Sequence, residues 1–172
     1  MQTEKLCKGV NFCFEQTDKF KTSVLSFSFF SPLGSTAAAD SLIIHLLSRT
    51  CAQHPTINEM NRKLASLYGA TITPSVSKSG DNLILKLNMT FIDDRFALGG
   101  ESISEECIKL LCSCVFRPDI NMDGVKKENV EREKRLLIEK IESEKDDKRL
   151  YALNRMIEEM CKSETYGLPK YG

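Results

Sequence analysis

Two histidines and seven cysteines carry most of the chemistry open to this chain. His45, Cys51 and His54 lie close together, and Cys107, Cys112 and Cys114 form a second group. Imidazole and thiolate are the usual zinc ligands, so each group must be weighed as a metal site. Structural zinc requires two close ligand pairs, most often Cys-x-x-Cys, and on a helix Cys112 and Cys114 would point roughly 200° apart. Neither group reads as structural zinc. A catalytic histidine needs a nucleophile or carboxylate placed beside it, and the sequence displays none. His45 stands in the apolar run Leu42 to Leu47 and reads as a packed, hydrogen-bonded core residue. Carboxylates crowd residues 128 to 159, but acid and base pairs must converge in a sheltered cleft, and this segment reads as a solvated face. The chain has no Gly-x-Ser-x-Gly elbow, no phosphate loop and no Gly-x-Gly-x-x-Gly, so the backbone devices of hydrolases, nucleotidases and dinucleotide enzymes are missing.

The elements that would position these residues follow from periodicity. Val10 to Glu15 and Thr22 to Phe30, where Leu25, Phe27 and Phe29 alternate with Ser26 and Ser28, read as a hairpin of two strands. After the punctuation Ser31 to Ser35, Ala37 to Thr50 runs without a breaker and predicts a buried helix. Thr56 with Glu59 matches a capping box, Ile57, Met60, Leu64 and Leu67 follow at helical spacing, and Gly69 supplies a stop, giving a helix over 56 to 68. Ala70, Ile72, Pro74 and Val76, then Leu83, Leu85, Leu87, Met89 and Phe91, alternate as two strands joined at Ser79 to Asn82. Pro74 cannot donate to a ladder, which predicts an edge position or bulge for the first of them. Ile103, Cys107, Leu110, Leu111, Cys114 and Val115 make one helical stripe that ends before Pro118. From Val125 to about Cys161 the pattern is helical, with a break at Asp146-Asp147 and charges of mixed sign. Strand alternation with helices as cover predicts an α+β fold, a mostly antiparallel sheet covered by helices on one face.

The 172 residues set one domain as the default, and 41% apolar with 28% charged residues excludes bulk disorder. Lys plus Arg and Asp plus Glu each total 24, so no global field draws in nucleic acid or an anionic membrane. No leader-like or membrane-spanning stretch is seen. The odd cysteine count, with several thiols where a small hydrophobe would serve, predicts a reducing, cytoplasmic setting and no disulfide framework.

A family resemblance is carried by Thr17 to Thr22, the turn Ser31-Pro32-Leu33, the block Pro55 to Asn61, and Leu67-Tyr68-Gly69-Ala70. Val130 to Lys134, Ile141-Glu142-Ser143, Asp146-Asp147-Lys148, Glu158-Glu159-Met160 and Tyr166-Gly167 extend it over roughly residues 9 to 172. The chain resembles the first domain of the M16 peptidases, the insulinase and processing-peptidase type, in their catalytically silent bacterial subgroup. The resemblance implies a sandwich of helices on an antiparallel sheet. It also implies a longer two-domain protein, of which residues 1–172 would be the single N-terminal domain.

Active members of that family carry H-x-x-E-H on the first helix, with two His and a later Glu holding zinc while the motif Glu activates water. The resemblance places this motif on Ser41-Leu42-Ile43-Ile44-His45, so the first ligand becomes Ser41, the general base becomes Ile44, and His45 alone survives. The distal ligand falls on Lys140, with Glu139 beside it. An apolar Ile cannot take a proton from water, one imidazole cannot hold zinc, and an ammonium repels a divalent cation. The expectation is no catalytic residues, no metal and no cofactor. In their place the resemblance implies a non-catalytic subunit that pairs as a heterodimer with an active M16 homologue and helps enclose a peptide substrate. Two alternatives stand beside it: a zinc peptidase with an unusual ligand set such as His45, Glu133 and Glu139, and an orphan protein-interaction domain.

Overall fold

The structure is a computed structural model and describes residues 2–121 and 124–172. In chain order it contains β1 (Gln2–Cys7), β2 (Val10–Phe14), β3 (Thr22–Pro32), α1 (Ala37–Leu47), α2 (Ile57–Ser66), β4 (Thr71–Ser79), β5 (Asn82–Ile92), α3 (Ile103–Phe116), α4 (Lys127–Ser143) and α5 (Lys148–Met160). Two short turns of 3-10 helix, Asp94–Phe96 and Thr165–Gly167, complete it. The fold is α+β with antiparallel sheets, as the alternation predicts.

The main sheet has the order β3-β5-β4. β5 takes the centre because its alternation is unbroken: Leu83, Leu85, Leu87, Met89 and Phe91 are all buried, and the residues between them only partly so. β3 sets Leu25, Phe27 and Phe29 opposite Met89, Leu87 and Leu85, and β4 sets Ile72, Pro74 and Val76 opposite the same three. Pro74 thus sits on an edge strand, where a missing N–H costs no ladder bond. Helices α1 and α3 lie on the apolar face of β5, and α4 packs on α1. From α3, Ile103, Cys107, Leu110, Leu111 and Cys114 enter the core as the stripe predicts.

The capping box of α2 forms as read: Thr56 Oγ1 accepts from the Glu59 N–H, and Glu59 accepts from the Thr56 N–H. Asp147 caps α5 through the N–H groups of Arg149 and Leu150, which accounts for the break between α4 and α5.

The first hairpin departs from expectation. Val10–Phe14 does not pair with Thr22–Pro32; it pairs antiparallel with Gln2–Cys7 as a separate two-stranded sheet, and Thr22–Pro32 pairs with β5. The polar composition of residues 2–7 carries no alternation that signals a strand, and Gly9, at φ 84°, makes the reversal ahead of the polar run 16–19. No described helix is long and apolar enough to cross a membrane.

Candidate functional site

Helix α1 offers one face to the interior. Ser41, Ile44, His45 and Ser48 recur at helical spacing and are all buried. α4 runs against that face and brings Glu133 and, two turns later, Lys140 to the same side. The residues that the resemblance singles out, Ser41, Ile44, His45 and Lys140, therefore do assemble around one place on α1 and α4.

His45 is 8% exposed, and its Nδ1 lies 2.7 Å from the Ser41 carbonyl oxygen. A carbonyl only accepts, so Nδ1 carries the proton and the neutral ring keeps its lone pair on Nε2. Burial holds the imidazole below its ordinary 6.5, the Lys140 and Arg49 charges push the same way, and the Ser41 hydrogen bond and Glu133 oppose them. The reading of His45 as a packed, hydrogen-bonded core residue is therefore correct. Because protonation is harder in the folded chain than in the unfolded one, His45 contributes stability above pH 6.5 that is lost as pH falls from 6.5 through the lower folded value. His45→Asn is expected to flatten that part of the stability curve, read as denaturation midpoints across pH 4.5 to 8 (roughly the window of an imidazole).

The second feature of the site contradicts the reading of 128 to 159 as a uniformly solvated face. Glu133 is 1% exposed. Its Oε2 accepts from Arg49 Nε at 3.2 Å, and its Oε1 lies 3.5 Å from Arg132 Nε without hydrogen-bond geometry. A carboxylate so deep in the fold requires a partner charge, and α1 supplies it from just beyond its C-terminus. Arg49 follows His45 by one helical turn, and Glu133 interrupts the apolar stripe Val130, Leu137, Ile141. Both signals were present in the sequence: a charged residue inside an apolar stripe predicts a buried partner.

Lys140 points its ammonium at Tyr171, with Nζ 5.6 Å from the ring centroid, and Lys170 covers the same ring at 4.8 Å while pairing with Glu144 at 2.9 Å. Ser41 Oγ donates to the Lys170 carbonyl at 3.2 Å, so the segment carrying Lys170 and the buried Tyr171 is seated on α1.

These residues do not fit a zinc centre. His45 offers one lone pair, Ile44 has no proton acceptor, Lys140 sets an ammonium near the imidazole, and Glu133 is already held by Arg49. Glu139, the third member of the unusual ligand set, is 61% exposed and lies 3.7 Å from Arg135, along the outer face of α4. Among the described residues no three His, Cys, Asp or Glu side chains stand together as a ligand group. The trio His45, Cys51 and His54 is divided as well: Cys51 and His54 form a backbone bridge in the loop after α1, while His45 faces α4. The arrangement holds a charge pair in a buried place, and among the described residues it offers no group of metal ligands.

No family model matches the chain. A conserved protein from Enterococcus faecalis V583, known from its crystal structure, superposes with a TM-score of 0.86 at 28% identity over 99% of this chain and 40% of that one. The chain thus spans about two fifths or less of the proteins it matches. Over 154 residues, 89% of its length, it is 30% identical to a Bacillus subtilis (strain 168) protein named "Probable inactive metalloprotease YmfF", of which it covers 36%, and it is on that ground a relative of a metalloprotease-like protein.

Proposed function

We propose that this chain is the first domain of a longer, catalytically silent M16-type protein, which pairs with an active homologue and lends it part of the wall around a peptide substrate. The observation that carries the reading is the substitution of charge at the site. Where zinc chemistry would need His, Glu, His and a distal carboxylate, α1 and α4 carry Ser41, Ile44, His45 and Lys140, and the buried carboxylate of Glu133 is paired with Arg49. The exposed apolar side chains support a role in association: Val24 and Phe30 on β3 are 65% and 70% exposed, and Met160 at the end of α5 is 76% exposed.

The test is coexpression of the full-length protein with an M16 homologue that retains H-x-x-E-H, from the same genome. Complex formation is measured by light scattering on a sizing column, and cleavage of an unstructured peptide is measured with and without the silent chain. The expected outcome is a one-to-one complex that cleaves at least about tenfold faster than the homologue alone, roughly 1.4 kcal/mol of barrier. Chelator-sensitive cleavage by the silent protein alone, or no association at micromolar concentration, would overturn it.

A further inference from the structure

Helix α1 carries a second apolar stripe beside the buried one. Ile43, Leu46, Leu47 and Thr50 recur at i, i+3, i+4 and i+7, and they line a cavity of about 230 Å³ that Ile120 and Val125 complete from the far side of α3 in the chain. Ile43 and Ile120 are each about half exposed, which leaves the cavity open to solvent. Its charged lining is Arg49, Asp119 and Arg132. Asp119 is paired with Lys126 at 3.0 Å, and Asn121 and Gly124 exchange backbone hydrogen bonds of 3.0 Å, so this wall is held in place. The two guanidiniums share a single carboxylate, with Arg49 Nε 3.2 Å from Glu133 Oε2 and Arg132 Nε 3.5 Å from Glu133 Oε1. One positive charge is left over there. Arg132 Nε is buried without a hydrogen-bond partner, and its Nη2 donates to Asn129 Oδ1 at 3.0 Å. Among the described residues, no side chain accepts from Arg132 Nη1 or from either Nη of Arg49.

We propose that this cavity binds a small aliphatic monocarboxylate as the free acid, with its alkyl tail among the Ile, Leu and Val side chains and its carboxylate on Arg49 and Arg132. Charge selects the head group. Two guanidiniums that share one carboxylate gain from a second, and each presents a planar fork that matches carboxylate geometry. A dianion would exceed the single surplus charge, and a cation would meet like charge. The helix ends leave this balance unchanged: the C-terminus of α1 and the N-terminus of α4 both border the cavity, and their partial charges oppose each other. Volume selects the tail. The cavity is smaller than the roughly 300–1,000 Å³ of pockets for drug-sized ligands, so it suits a short alkyl chain and not a nucleotide. Each methylene buried there strengthens binding about threefold to fourfold, so the tail supplies affinity and the arginines supply orientation.

The full chain is titrated by calorimetry with octanoate, octanol, butanoate and N-acetyl-leucine. Octanoate is expected to bind once per chain with a Kd of about 0.1–1 mM. Octanol lacks the charge and butanoate lacks most of the tail, so each should bind at least ~10-fold more weakly. Arg132→Gln is expected to weaken octanoate ~10-fold while Glu133 keeps its bond to Arg49. Ile120→Glu, a change at a half-exposed position, sets a carboxylate at the cavity and should abolish binding. Arg135→Gln removes the same charge from the outer face of α4, where the side chain is 72% exposed, and should leave the affinity unchanged. Equal affinity for octanol and octanoate, no octanoate binding at millimolar concentration, or equal effects of Arg132→Gln and Arg135→Gln would overturn the proposal. Tighter binding of N-acetyl-leucine than of octanoate would overturn the free acid in favour of a peptide's C-terminal residue. The wild-type series decides the matter even if a variant fails to fold.

Discussion

Replacing Ser41 by His, Ile44 by Glu and Lys140 by Glu together is expected to give the chain a zinc affinity of about micromolar or tighter, near −8 kcal/mol, measured by calorimetry or competition with a chromophoric chelator. The triple change adds one imidazole to the existing His45 and two carboxylates, one as general base and one as a ligand in place of an ammonium. The structure adds a condition: Ser41 is 0% exposed and its hydroxyl donates to the Lys170 carbonyl, so a histidine there displaces the segment carrying Lys170 and Tyr171. A lower melting point in the triple variant without metal, recovered when zinc is added, is the accompanying signature. Single restorations are expected to bind at least ~100-fold more weakly, because one added ligand does not complete a tetrahedral set. A triple variant that folds and takes up no zinc would show that the motif has been placed on the wrong residues.

Arg49→Met is expected to destabilise the chain by about 3 kcal/mol, read as a shift of the urea midpoint at unchanged slope. The substitution keeps the apolar stem and removes the charge, leaving Glu133, 1% exposed, with Arg132 at 3.5 Å and no hydrogen bond to its Oε1. The cost belongs to the orphaned carboxylate and not to the bond as such. Arg49→Met with Glu133→Leu is therefore expected to lie within about 1 kcal/mol of wild type, since an apolar pair needs no compensation. Removing Arg49 also removes one of the charges that depress His45, so the folded value rises toward 6.5 and the single variant should lose less His45-linked stability on acidification than wild type. A cost below about 0.5 kcal/mol for Arg49→Met, the range of a surface pair, would mean that Glu133 is not held as a buried charge.

Much of the fold was legible because its signals are local. The alternation of Leu83 to Phe91 determines the central strand, Thr56 with Glu59 determines the start of α2, and the stripe from Ile103 to Cys114 determines the buried face of α3. Strand partnership was not legible, because Val10–Phe14 has no residue that distinguishes Gln2–Cys7 from Thr22–Pro32 as its neighbour; only the turn at Gly9 decides it. The site divides in the same way. His45 on an apolar helix reads as core and is core, since periodicity reports burial. The Arg49–Glu133 pair joins residues far apart in sequence, and the dense mixed charge of α4 conceals the one carboxylate that turns inward. The proposed function rests on where the resemblance places the motif, and the Arg49–Glu133 pair beside it becomes visible only once α1 and α4 are set side by side.

On the proposed reading, α1 and α4 present the protein's own cations, Arg49 and Lys140, where an active homologue would hold a metal. Zinc titration of the unmodified chain at pH 7.5, followed by calorimetry with metal analysis after gel filtration, tests it most directly. No zinc is expected to be retained through the column, and no heat beyond weak surface binding. One zinc per chain held at micromolar affinity or tighter, released by His45→Asn, would contradict it.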